Sequence, residues 1–190
     1  MGRNRSYDED AALKGAMHAF RRSGYQAASI RDLEEATGLK AGSIYNSFGD
    51  KAGLFDAAFE HYNRTVLLGR IGKYAPREAG LDGLRDLFLS LLSEPRGEAF
   101  GCLITNTAVE LGGQPPIHRR VEEGLRILLR TFVERVALAQ GADEKAHRTA
   151  LKLLALYQGI LVLVRAGHDK TALKQLIDDE FDDLEKSHAS

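Results

Sequence analysis

Residues 29 to 55, SIRDLEEATGLKAGSIYNSFGDKAGLF, restrict the fold more than any other part of this chain. Ser29 suits a helix N-cap, and Asp32 three positions on completes a capping box, in which each residue satisfies a backbone N–H of the other. Ile30 and Leu33 give the helix that follows an inward face, and Gly38 supplies the left-handed residue that ends it. Leu39 then enters the core. Residues 40 to 47 form a second short helix, with Ile44 buried and Ala41, Gly42, Ser43, Tyr45 and Asn46 largely free. Two short helices joined by a Gly-containing turn fit a helix-turn-helix, whose second helix lies in the DNA major groove. They fit an αα-hairpin in any helical domain as well, and spacing alone leaves the two nearly level.

Helical periodicity runs through the rest of the chain. The first helix is expected from about Tyr7 to Ser23, with Leu13, Ala16, Met17 and Phe20 as its buried stripe and His18 solvated. Asp50 is a plausible N-cap for a fourth helix reaching about Ile71, which carries Leu54, Phe55, Ala58, Phe59, Tyr62 and Val66 at helical spacing. Further helices are expected at about Leu81–Ser93, Glu98–Leu111, Pro115–Gln140, Asp143–Arg165 and Lys170–Lys186. The Asp143–Arg165 helix is apolar almost all round between Leu151 and Val164, so it is expected to be buried on more than one side. The expected fold class is all-α: about nine helices, an N-terminal three-helix helix-turn-helix domain and a C-terminal helical domain.

Composition limits the function. Apolar residues at 44% and charged ones at 28% are globular proportions. The opening MGRNRSYDED lacks an apolar signal core, and the run Leu153–Val164, interrupted by Gln158, is too short to span a bilayer. A single cysteine suits a reducing cytoplasm. A net charge of −1 gives no overall sign of a nucleic-acid partner, but Arg3, Arg5, Arg31, Lys40 and Lys51 stand where a local basic patch needs them. Arg3 and Arg5 fit a frayed terminus and a DNA-contacting arm equally well. There is no GxSxG, Walker A, HExxH or CxxC motif, and no two histidines stand at i, i+4, so no enzyme, cofactor or metal is expected. The acidic run Asp178, Asp179, Glu180, Asp182 and Asp183 reads as a solvated face.

Residues 12 to 55 resemble the N-terminal domain of TetR-type bacterial transcriptional regulators. Phe20, Gly24, Tyr25, Ser29, Leu33, Gly38, Gly42, Tyr45, Phe48, Lys51 and Leu54 carry the likeness in a fixed order over about a quarter of the chain. Two positions depart from the pattern. Glu34 stands where the family usually has a small Ala, which implies altered packing between the second and third helices. Ser47 stands where it has His or Tyr, which removes a phosphate contact.

The resemblance implies a DNA-binding domain over residues 1–50 and a ligand-binding and dimerisation domain over residues 51–190. It implies a repressor released from a palindromic operator by an unknown small-molecule effector. Tyr45 and Lys40 are then the phosphate contacts, Ser43 and Asn46 the candidates for base edges, and Arg31 and Lys51 backbone clamps, with Ala41 and Gly42 on the same surface. The implied partners are double-stranded DNA, a second copy of the chain and the effector, without a membrane. In a homodimer the last two helices pair with their symmetry mates through Leu154, Ala155, Gly159, Val162, Leu173, Leu176 and Ile177. Ala155 and Gly159, four residues apart, permit close helix approach.

The fourth to eighth helices then surround an effector pocket. Phe88, Phe100, Phe132 and Tyr157 are its candidate walls, and Asn106, Arg126 and Gln158 its candidate polar anchors. For each apolar residue, core packing is the alternative role. Cys102 falls in the first turn of the expected Glu98–Leu111 helix, where the helix dipole favours a thiolate, with Asn106 one turn on. Its segment is similar to that of members that sense electrophiles or oxidants through a thiol, against the alternative of an inert buried cysteine. A helical thiol enzyme built on Cys102 and a protein-binding helical module are the competing functions.

Overall fold

The computed structural model describes residues 7–93, 101–112 and 118–186. Arg3, Arg5, Phe100, Pro115 and Pro116 lie outside the described residues. Helix α1 spans Glu9–Ser23 and starts two residues later than its periodicity suggests, because Asp8 caps it: its carboxylate accepts the Ala11 N–H at 3.1 Å. Glu9 and Asp10 in the first turn complement the helix dipole. Gly24 ends α1 at φ 83°, so the backbone favours glycine, and a Cβ there would lie 2.7 Å from the Glu110 carboxylate and displace it.

Helix α2, Ile30–Thr37, opens on the expected capping box of Ser29 and Asp32, and Gly38 closes it in the left-handed region. Helix α3, Ala41–Phe48, buries Ile44 alone. Asp50 caps α4, Lys51–His61, by accepting the Gly53 N–H at 2.8 Å. The sequence suggests one regular helix to Ile71. The chain instead passes through a π-helical stretch, Tyr62–Leu67, into α5, Leu68–Tyr74. There the Thr65 hydroxyl donates to the His61 carbonyl at 2.7 Å, a local bond that competes with the regular ladder and bends helices.

Helix α6, Gly80–Leu89, runs into a 3₁₀ turn, Ser90–Ser93. Helix α7 spans Leu103–Leu111, α8 His118–Gln140, α9 Glu144–Arg165 and α10 Lys170–Lys186. With the run from α4 to α5 counted once, these are nine helices and no strand among the described residues. By length and composition α9 is apolar enough to cross a membrane, contrary to the expectation from its interrupted run. Leu153, Leu154, Tyr157, Ile160 and Leu161 on it are nonetheless buried in the protein.

The chain forms two compact units. The first comprises residues up to Val66 together with Cys102–Val121, and the second Leu67–Gly101 together with Glu122–Ser190. An aromatic series fills the first: Phe20 and Tyr25 meet Phe55 edge-on at 4.8 and 5.0 Å, and Phe55 meets Phe59 at 5.7 Å. Polar bonds tie α7 and the start of α8 to this core. The Glu110 carboxylate accepts the N–H groups of Tyr25 and Gln26 at 2.9 and 2.7 Å, and Asn106 donates to the Arg21 carbonyl at 3.3 Å. The buried Arg120 donates two bonds to Asp56, at 2.8 and 2.7 Å, and one to Glu60 at 2.6 Å.

The second unit centres on Phe88, whose ring lies 5.7 Å from Phe132 and 5.2 Å from each of Tyr157 and Phe181. The acidic run on α10 does more than face solvent. Glu180 pairs with Lys152, Asp178 with Lys174, and Asp182 with Arg85, which Glu185 also joins.

Candidate nucleic-acid interface

Ile44 is the pivot of α3. Its side chain is fully buried, which turns Gly42, Ser43, Tyr45 and Asn46 outward and leaves Ala41 half-buried at the helix start. Tyr45 is 47% exposed, with its ring on the outer face of the helix. Lys40 precedes the helix with its side chain exposed, and Arg31 is exposed on α2. This surface offers a phenol, a hydroxyl, an amide and two cations, a set that hydrogen-bonds base edges and phosphates.

Lys51 is held in place rather than hanging free. Its ammonium sits 4.9 Å from the Tyr25 ring centre and donates to the Gln26 carbonyl at 3.3 Å. Glu110 holds the N–H groups of the same two residues, so the link between α1 and α2 is fixed from both sides. An ammonium has three donors, and Lys51 keeps capacity for a phosphate oxygen. The acidic neighbour Asp32 is engaged in capping. The Ser29 hydroxyl and then the Ser29 amide hold its carboxyl below the usual aspartate range, and burial opposes them.

By its departure from the family pattern, Glu34 implies altered packing between the second and third helices. In the structure its carboxylate accepts the Ala41 N–H at 2.7 Å. Lys40 occupies the N-cap position of α3 and makes no side-chain cap bond, so a residue of the preceding helix does that work. The signal was readable: a helix start without a capping side chain, and an unexpected carboxylate seven residues upstream.

The structure distributes the other predicted site residues unevenly. Phe88, Phe132 and Tyr157 are buried ring against ring, which is core packing rather than the wall of an open pocket. Asn106 faces α1, Arg126 is exposed and Gln158 is half-buried. Cys102 is the residue before α7, not one in its first turn. Its sulfur is buried, makes no cap bond and accepts from the Tyr62 hydroxyl at 3.2 Å. A thiol so enclosed gives the sensing reading no support. Leu173 and Ile177 belong to the core, with Leu154 at its margin, whereas Ala155, Gly159, Val162 and Leu176 are exposed. Sequence periodicity could not separate these groups, because both lie on apolar faces. A cleft of about 520 Å³ lies in the first unit, lined by Asp8, Asp10, Glu60, His61 and Arg64 among others, and contains none of the predicted pocket residues.

Comparison with known proteins places this geometry among relatives. Residues 12–58 match the family of bacterial regulatory proteins described as tetR, and residues 80–179 match the tetracyclin repressor-like C-terminal domain. The chain is 34% identical to the HTH-type transcriptional repressor ComR of Escherichia coli over 113 residues, which cover 58% of this chain and 54% of ComR. It is 27% identical to the HTH-type transcriptional repressor AcnR of Corynebacterium efficiens, over 87% of this chain and 86% of that one. Among solved structures, a cysteine mutant of the TetR family transcriptional regulator CifR, complexed with 26-bp double-strand operator DNA, is similar with a TM-score of 0.76. It is 26% identical, and the match covers 94% of this chain and 98% of that one. A TetR transcriptional regulator from Chloroflexus aurantiacus matches at 28% identity and a TM-score of 0.75, over 90% of each chain.

Proposed function

This chain belongs to the TetR family of bacterial transcriptional regulators, and from that premise we propose that it is a dimeric repressor released from a palindromic operator by a small-molecule effector. The observation that carries the reading is the surface of α3, where one buried isoleucine anchors a helix whose remaining polar and aromatic side chains face outward. Residues 1–50 are the DNA-binding part, and residues 51–190 bind ligand and dimerise. Tyr45 and Lys40 contact phosphates and Ser43 and Asn46 base edges. Arg31 and Lys51 clamp the backbone, and Ala41 and Gly42 allow close approach of α3 to the groove.

The second copy covers an apolar face that the protomer leaves open: Ala155, Gly159 and Val162 on α9 and Leu176 on α10, joined by Leu151 at 52% exposure. Two copies present two α3 helices to two half-sites. Effector binding shifts the population toward a state in which those helices no longer match successive grooves, and only as far as its differential affinity allows. The protein acts in the cytoplasm and is not an enzyme.

A gel-shift titration with DNA flanking its own coding region tests the reading. Binding is expected to weaken with salt. Lys51→Ala should weaken binding to every sequence and lower the salt slope by about one. Asn46→Ala should relax preference at one base position, a discrimination of about 1–3 kcal/mol. If both variants bind like the wild type, the contacts assigned to Lys51 and Asn46 are wrong.

A further inference from the structure

The start of α3 is where a DNA-reading helix meets its target, and there the first backbone N–H of the helix is already occupied. A helix N-terminus combines unpaired N–H groups with a positive dipole end and accepts an anion from any source. In α3 the Ala41 N–H points instead to the Glu34 carboxylate at 2.7 Å. Lys40, at the N-cap position, contributes no side-chain bond of its own. The same contact spans the turn, fastening α2 to the first residue of α3. Glu34 is half-buried, so its charge remains near the outer surface that Lys40, Ser43 and Tyr45 form.

We propose that Glu34 is a specificity-determining residue: it fixes the angle at which α3 leaves the turn and withholds the first N–H of α3 from DNA phosphate. Non-specific complexes depend on phosphate contacts alone, whereas operator complexes add base-edge contacts that tolerate little misplacement of the helix. Withholding a phosphate contact weakens the first kind of complex, and holding the helix angle favours the second. Both effects increase the ratio between them. This proposal rests on reading α3 as the recognition helix.

The test compares wild type, Glu34→Ala and Glu34→Gln on two probes: a duplex selected by the wild-type chain from a random-sequence pool, and the unselected pool itself. In Glu34→Ala the helix start is both unfastened and open. Its affinity for the selected duplex should fall about fivefold, the equivalent of one lost cap. Its affinity for the unselected pool should rise about twofold, from removal of one negative charge near phosphates. Partial unfolding cannot produce that rise. In Glu34→Gln the amide oxygen still accepts the Ala41 N–H while the charge is gone. Both affinities should then rise together, their ratio should stay within about twofold, and the rise should shrink as salt is added.

The proposal is overturned if Glu34→Ala keeps the wild-type ratio, or if Glu34→Gln lowers the ratio as far as Ala does. In either case the regulator reading survives, provided the wild type discriminates between the probes. If the wild type binds neither probe in a salt-dependent way, both readings fall.

Discussion

The two compact units each contain a cluster of aromatic rings, and the clusters are built to different ends. In the first unit Phe20, Tyr25, Phe55 and Phe59 form a chain of edge contacts, bounded by directional polar bonds from Glu110, Asn106 and Arg120. In the second, Phe88 touches Phe132, Tyr157 and Phe181 at once, so one ring holds four helices, α6, α8, α9 and α10. The first arrangement fixes where backbone segments lie, as a surface that must match a rigid partner requires. The second packs around one ring, and its polar bonds, from Arg85 to Asp182 and Glu185 and from Arg135 to the Ala75 carbonyl, lie outside that ring cluster. Directional bonds specify geometry, and non-directional packing supplies most of the stability.

This contrast can be broken most directly at Phe88. Phe88→Ala should lower the unfolding free energy by about 3–5 kcal/mol in urea titrations, because three neighbouring rings cannot all close on the void. A loss under about 1 kcal/mol would mean that Phe88 borders open space, as an effector-pocket wall would, and the assignment of its cluster to the core would fail. Arg120→Gln comes next. Removing charged hydrogen bonds from a buried guanidinium costs about 1–3 kcal/mol, and the lower half is expected because Asp56 and Glu60 keep partial access to water. Hydrogen exchange should then increase along α4 while the amides of α10 keep their protection.

How much of this was legible depends on the range of each interaction. The capping box at Ser29, the left-handed Gly38 and the Asp50 cap are set by residues within four positions of one another, and the sequence displays such pairs directly. Burial stripes were equally plain in α1 and α4, since a period of 3.6 needs no knowledge of the partner. What a stripe packs against is another matter. Phe88, Phe132 and Tyr157 read as pocket walls because their sequence separation hides that they meet one another. Leu173 and Leu176 both looked like interface, yet one is 3% exposed and the other 42%. Glu110 acts across 84 or more residues, and a carboxylate that reaches so far has no local signature, whereas Glu34, seven residues from the N–H it accepts, left a trace in the uncapped start of α3. The candidate DNA surface was readable because it is a contiguous run of eight residues, whereas the second unit's contacts were not.

Ser29→Ala sharpens the comparison at a smaller scale. It removes the hydroxyl that accepts the Asp32 N–H and donates to the Asp32 carboxylate, and should cost about 1 kcal/mol by thermal or urea unfolding. If local capping matters more to the first unit than to the second, the equivalent change at the α9 cap, Asp143→Ala, should be milder. That residue fastens a long helix already held by seven buried side chains. Equal losses would show that caps act alike in both units.

The smallest effect separates the units by pH. Asp56 in the first unit is held below the usual aspartate range, chiefly by the hydrogen bond from Arg120 and against the opposing effect of burial. Glu134 in the second is also lowered, chiefly by the hydrogen bond from Arg130, whose side chain is 81% exposed. A carboxyl with a depressed folded pKa contributes stability above its unfolded value, about 4, and loses it as pH falls through the folded value. Stability should therefore decline from about pH 5 downward, with a shallower slope in Asp56→Asn. Glu134→Gln should change the slope less, and added salt should erase its contribution first, because an exposed pair is screened and a part-buried one much less. The converse, a slope indifferent to Asp56 and sensitive to Glu134, would place the more effective ion pairing in the second unit and overturn the assignment of the stronger acid-sensitive pair to the first.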